Sequence, residues 1–219
     1  MAIAFDAASG NYYGGTVNSL TLSHTCSGEN RILFVSVQCG GVTDYFPTVT
    51  YAGVPMTQIS KVRVPADAYI YLFCLIAPAK GANNIVVSTG SNNDMTVGGV
   101  SYTGVLQTGQ PDAFTTNTAT STTSITTPLT IIKDSCWLVC CTKGTATIPA
   151  AGAGTTMRNT PGAIALFDSN GAKTPAGSYS LVVTNGSAGS FGTVIASFAP
   201  AYDITLKFRP GSLGSMLCQ

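Results

Sequence analysis

Charge is what this sequence has least of. Lysine and arginine together number 10 and aspartate and glutamate 9 in 219 residues, so charged side chains are 9% of the chain, against about 25% in an ordinary globular protein. Solubility must then rest on Ser, Thr, Asn, Gln and Gly. The net charge is +1 and no Lys/Arg cluster occurs, which excludes the phosphate-neutralising surface of a nucleic-acid binder and the polybasic patch of a membrane-surface protein. No uninterrupted apolar run reaches the roughly 18 residues of a membrane-spanning helix. The opening MAIAFDAASG has no basic segment and carries Asp6 inside its first apolar stretch, so it does not read as a secretory signal; the expectation is cytoplasmic synthesis. Helical periodicity is also missing.

What is present is alternation. Leu20–His24 and Ile32–Gln38 read as strands, the second with Leu33, Val35 and Val37 on one face and Ile32 and Phe34 on the other. Val49–Tyr51, Ala52-Gly53 and Val54–Ile59 read as a hairpin, with Gly53 free to take a positive φ. The stretch from Tyr69 to Val105 reads as three strands, and a degraded copy of it runs from Ala163 to Ala201. Ile125–Ile132 and Cys136–Thr142 repeat the earlier strand pair at a constant offset, so that Ser19 falls on Ser124, Leu33 on Leu138 and Val35 on Cys140. The expected fold class is therefore all-β: two tandem β-sandwich units, jelly-roll-like, related by an internal repeat. The first unit spans 1–107, a Thr-rich connection 108–124, the second unit 125–208 and a C-terminal arm 209–219. Tyr202–Phe208 is expected to be the last strand. In the arm, Leu213, Met216 and Leu217 are apolar without a local partner and are candidates for docking on a neighbouring subunit, as in strand addition.

Catalytic chemistry finds little support. The one histidine, His24, sits in Ser23-His24-Thr25-Cys26, and no G-x-S-x-G elbow accompanies it; it reads as a strand-end residue bonded to a turn. Seven cysteines, Cys26, Cys39, Cys74, Cys136, Cys140, Cys141 and Cys218, form no disulfide-scaffold spacing and read as core thiols. Cys136 and Cys140 on one strand would lie about 13 Å apart with Cys141 on the other face, too far for one zinc ion. Glycoside hydrolysis needs two carboxylates across a cleft. Glu29 is the single glutamate, and Asp6, Asp44, Asp67, Asp94, Asp112, Asp134, Asp168 and Asp203 fall mostly at strand ends and turns, with nothing marking any pair. No enzyme, metal or cofactor is expected. Exposed aromatics on a sandwich can stack on sugars, which makes Tyr12, Tyr13 and Tyr45 the candidate glycan-binding residues. Trp137 reads as core, and Asn185-Gly186-Ser187 as a hairpin turn.

At LTLSHTCSGENRILFVSV, VTYAGVPMTQI, YLFCLIAPAKGANNIVVS and VGGVSYTGV the chain resembles a family of β-rich phage and bacterial proteins, several of them among virion structural genes. The resemblance implies a fold rather than an activity, and supplies no catalytic residue. It implies a virion component made in the host cytoplasm: a capsid decoration (cement) protein, or alternatively a tail or head-fibre receptor- or glycan-binding module. The partners so implied are the major capsid or tail protein and further copies of the same chain, in a homo-oligomer.

Overall fold

The structure is a computed structural model that describes residues 1–201, with backbone alone for residues 11–15. Regular structure among the described residues is entirely β. The first seven strands are β1 (Ala4–Cys26), β2 (Ile32–Gly40), β3 (Thr48–Tyr51), β4 (Val54–Pro55), β5 (Thr57–Arg63), β6 (Ala68–Ile76) and β7 (Gly81–Thr103). They form one antiparallel sheet in the order β4-β3-β7-β2-β6-β5, with β1 on β7. The second sheet takes β8 (Ala113–Ile131), β9 (Trp137–Gly144), β10 (Ala150–Ala151), β11 (Thr156–Asn159), β12 (Ile164–Asp168) and β13 (Gly177–Phe198). Its order is β10-β13-β9-β12-β11, with β8 on β13. Apart from β4, the second sheet repeats the first strand for strand.

Two strands of 23 residues, β1 and β7, carry the first sheet. Straight, each would reach about 75 Å, several times the radius of gyration of about 17 Å that a compact chain of this length has. They bend instead. Their pairing is interrupted between Tyr13 and Thr16 and again between Val17 and Ser19, opposite the Ser88–Asp94 stretch, and bulges of this kind turn a strand sharply. Beyond the bend the ribbon folds back over its own sheet. Leu20, Leu22, Val49, Tyr51, Ile85 and Val87 on the folded-back part then close on Leu33, Val35, Val37, Tyr71 and Phe73, a buried core inside the first unit. In the second unit β8 and β13 bend in the same way, at the register shifts beyond Thr184, and Ile125, Leu129, Leu181 and Val183 close on Leu138, Cys140, Phe167 and Ile195.

The two sandwiches pack face to face. Ile32, Phe34, Ile70, Leu72, Val100 and Tyr102 of the first meet Val139, Cys141, Ile164, Leu166, Val194 and Phe198 of the second in a third buried core. The stack is four layers deep. Strand β2 lies in its interior, which explains why both of its faces are apolar: Leu33, Val35 and Val37 belong to one core and Ile32 and Phe34 to the next. Gly10 and Gly192 both mark close approaches of the units, since a Cβ at Gly10 would stand 2.6 Å from Cβ of Pro161 and one at Gly192 2.8 Å from Cγ2 of Val64.

Three sequence expectations change. The last two of the three strands expected between Tyr69 and Val105 are halves of one bent strand, β7, because the polar segment between them is the bend and not a reversal. Asn185-Gly186-Ser187 likewise lies within β13 rather than in a hairpin turn. The Thr-rich segment read as a connection is strand from Ala113 onward; its threonines are β-branched and suit the pleat, and the missing aliphatics reflect an outer face that points to solvent. The expected hairpin forms at β3–β4, where Ala52 and Gly53 have φ of 51° and 77°, the pair of positive values that a two-residue turn demands. Thr57 and its followers leave that hairpin to pair with β6. The strand expected at Tyr202–Phe208 and the arm residues Leu213, Met216 and Leu217 lie outside the described residues.

Candidate functional site

A cleft of about 680 Å³ opens at the seam between the two units. One wall belongs to the first unit. Gln38 of β2 stands directly opposite Thr96 of β7, and residues paired in this way point to the same face; Asp94 precedes Thr96 by two residues on the same strand. Gly40 beside it leaves room, since a Cβ there would sit 3.0 Å from Cβ of Asp94. Asn93, at the bend of β7, donates its amide nitrogen to Thr89 Oγ1 at 3.0 Å and to the Ser91 carbonyl at 3.2 Å, while its amide oxygen is buried without a partner. Asp67 comes from the β5–β6 turn, which is closed by Val64 N–H donating to the Ala68 carbonyl at 2.8 Å. The facing wall belongs to the second unit and includes Lys143, Ile148 and Ala163.

Lys143 is nearly buried, and its Nζ lies 2.9 Å from Asp67 Oδ2. Burial holds the Asp94 carboxyl above the usual carboxylate range; Lys143 pulls it back and Asp67 pushes it further up. The cleft thus joins one neutralised ion pair to a second carboxylate without a partner of its own. The sequence named Asp67 and Asp94 only among eight scattered aspartates, and β-sheet register is what brings them together. The one advance signal was polar residues, Gln38 and Thr96, at positions where the flanking strand is apolar.

His24 lies elsewhere, inside the first unit. Its Nδ1 is 2.8 Å from Ser9 Oγ and its Nε2 3.0 Å from Ser101 Oγ, and Ser101 donates to Asp6 Oδ2 at 2.8 Å. The expected bond to a turn is therefore replaced by two serine side chains across the sandwich. The Ser-His-Ser-Asp chain has the order of a proton relay, but His24 is 2% exposed and lines neither this cleft nor the smaller hollow around Trp137. Burial pushes its pKa down to about 4, with Asp6 opposing. An imidazole that is neutral when folded and titrates near 6.5 when unfolded binds more protons unfolded, so its contribution is complete above about pH 6.5 and is lost as pH falls towards 4. We expect wild-type stability to fall by roughly 3 kcal/mol across that window and His24→Gln to remove most of the slope, which urea unfolding at a series of pH values would measure. A flat wild-type profile would refute the assignment.

The remaining predicted residues are dispersed. Tyr45 is half-buried against the first-unit core and lines the cleft. Its neighbour Phe46 is 69% exposed, with the Lys61 ammonium 4.2 Å from its ring centroid, and Lys61 also pairs with Asp44. Tyr12 and Tyr13 are known by backbone alone, paired with Thr96 and Met95. Trp137 is partly buried at the edge of the inter-unit core, edge-on to Tyr102. Cys140 and Cys141 point into different cores, and burial pushes the thiols of Cys39, Cys136 and Cys140 up to about 12, which leaves them unreactive. No group of three or more His, Cys, Asp or Glu among the described residues is placed to hold a metal ion.

Against family models, curated proteins and solved structures, the chain has no match.

Proposed function

We propose that this chain is a non-enzymatic structural component of a bacteriophage particle, a capsid decoration protein that works by contact with the major capsid or tail protein and with further copies of itself. The observation that carries the reading is β8. It is 19 residues long, has no charged residue, pairs among the described residues on one side only, with β13, and alternates exposed with more buried side chains over Ala113–Thr120 and again over Ile125–Ile131. Edge strands of soluble proteins are normally guarded by lysines, short length or bulges. This one has Pro128 and the positive-φ Ser121 but no charge, so its free backbone groups are a template for a neighbouring strand. The virion setting rests on the sequence resemblance, and the mode of contact on this edge. The enclosed His24 and the buried thiols support a reading without chemistry.

The test is sedimentation with empty capsids. Wild-type protein should co-sediment, and Thr116→Lys with Thr118→Lys, two exposed positions on β8, should weaken binding about tenfold or more. Deleting residues 210–219 in parallel measures any contribution of Leu213, Met216 and Leu217. Failure of the wild type to bind, or full binding by the lysine variant, would overturn the reading. A receptor- or glycan-binding module built on Tyr12, Tyr13 and Tyr45 is the weaker alternative, since Tyr45 packs against the core and presents no open platform.

A further inference from the structure

We infer that the cleft at the seam between the units is a binding site for a small polyhydroxylated ligand, of monosaccharide size and chemistry. Four residues that line it each carry a buried oxygen with no hydrogen-bond partner among the described residues: Gln38 Oε1, Asn93 Oδ1, Asp94 Oδ1 and Thr96 Oγ1. Gln38, Asn93 and Thr96 are 5%, 3% and 0% exposed. Buried polar atoms without partners are rare in folded proteins, because each loses its hydration for nothing in return. Four on one wall, drawn from two neighbouring strands and a bend, are better explained by something that binds there.

The chemistry of the four restricts what that is. Three are carbonyl or carboxylate oxygens that accept and the fourth, the Thr96 hydroxyl, both accepts and donates, so the ligand must donate several hydrogen bonds at once. The facing wall offers the reverse, an ammonium. Lys143 pairs with Asp67 at 2.9 Å, and an ammonium carries three N–H donors, more than that one contact uses. Hydroxyl groups both donate and accept, and a ring of them satisfies both walls. A divalent cation would also suit the oxygens, but it would have to share the cleft with the Lys143 charge while Asp67 is already committed. An anionic ligand would meet Asp94 and Asp67. The exposed Ile148 supplies apolar surface for the C–H face of a sugar. A volume of about 680 Å³ lies within the range of about 300–1,000 Å³ usual for small-molecule sites. The inference is independent of capsid binding and stands if the chain never meets a shell.

The experiment is saturation-transfer NMR on the full chain with free glucose, galactose, mannose and N-acetylglucosamine, and a parallel thermal-unfolding series with calcium chloride. At least one of the sugars should receive saturation, and Thr96→Val and Asp94→Asn should each weaken it about tenfold or more. Thr96→Val has a second readout. Since its hydroxyl has no protein partner, the valine variant should unfold at the same or a higher temperature than wild type while it loses the sugar, which separates loss of ligand from loss of fold. Absence of transfer to all four sugars, equal binding by both variants, or stabilisation by calcium without sugar binding would each overturn the inference.

Discussion

Replacing Phe198 with alanine is expected to lower the unfolding free energy by about 3–5 kcal/mol. Phe198 closes β13 and is fully buried. Its ring lies 5.2 Å from that of Phe34 and 4.8 Å from that of Tyr102, both residues of the other unit. Truncation removes the ring's buried area and leaves a hole that neither sheet can close, because Phe34 and Tyr102 are fixed by strands paired on both sides: β2 lies between β6 and β7, and β7 between β1 and β2. The cavity then adds to the lost transfer energy. Phe114, 53% exposed on β8, is the control, and its alanine variant should stay within about 0.5 kcal/mol of wild type. Urea unfolding would measure both. The same curve reports whether the two sandwiches unfold as one: with the inter-unit core intact a single transition is expected, and a second transition appearing in Phe198→Ala would show that this core couples them. A cost below about 1 kcal/mol would mean that the face-to-face packing contributes little.

Arg158→Ala is expected to cost a similar amount, about 3–5 kcal/mol, for a different reason. Asp168, at the end of β12, is fully buried. Arg158 Nε donates to its Oδ2 at 2.6 Å, and the Tyr102 hydroxyl, from the other unit, donates to the same oxygen at 3.0 Å. The guanidinium also reaches Asn170 Oδ1 at 2.6 Å and lies 4.5 Å from the Phe5 ring centroid. Removing it strands a carboxylate in the interior with no cation beside it. The exposed Lys80–Glu29 pair makes the contrast: solvent screens it, and Glu29→Ala should leave the stability close to that of wild type. A double-mutant cycle over Arg158→Met and Asp168→Leu tests the argument, since removing both charges should recover most of what either single change loses. If Arg158→Met alone is no worse than Glu29→Ala, the carboxylate is not dependent on its partner.

Particular elements show how far the sequence could be read. The alternation in Ile32–Gln38 assigned each apolar side chain to a face, and both faces proved to be core because β2 lies in the middle of four layers. The Ala52-Gly53 turn was legible because a two-residue hairpin imposes its own backbone angles. The threonines of 113–124 were misread as a connection, since a strand with one face in solvent needs no aliphatic pattern. The bends were illegible: a polar segment looks the same in sequence whether the chain reverses or merely changes layer, and only pairing with β1 or β8 distinguishes the two. Of the cleft, Tyr45 alone had been singled out as a candidate. Gln38, Asn93, Asp94, Thr96 and Lys143 carry no motif, because their proximity arises from register between strands far apart in the chain.

Local pattern settled by itself that this chain would be built of strands, which side chains those strands would bury, and that its surface would be nearly without charge, since each of these follows from residue type and a period of two. Where the long strands bend, how the two sandwiches stack, and which polar groups meet at their seam were decided only in three dimensions. Those outcomes depend on pairing between distant segments, and the energy of such a pairing belongs to no single stretch of sequence.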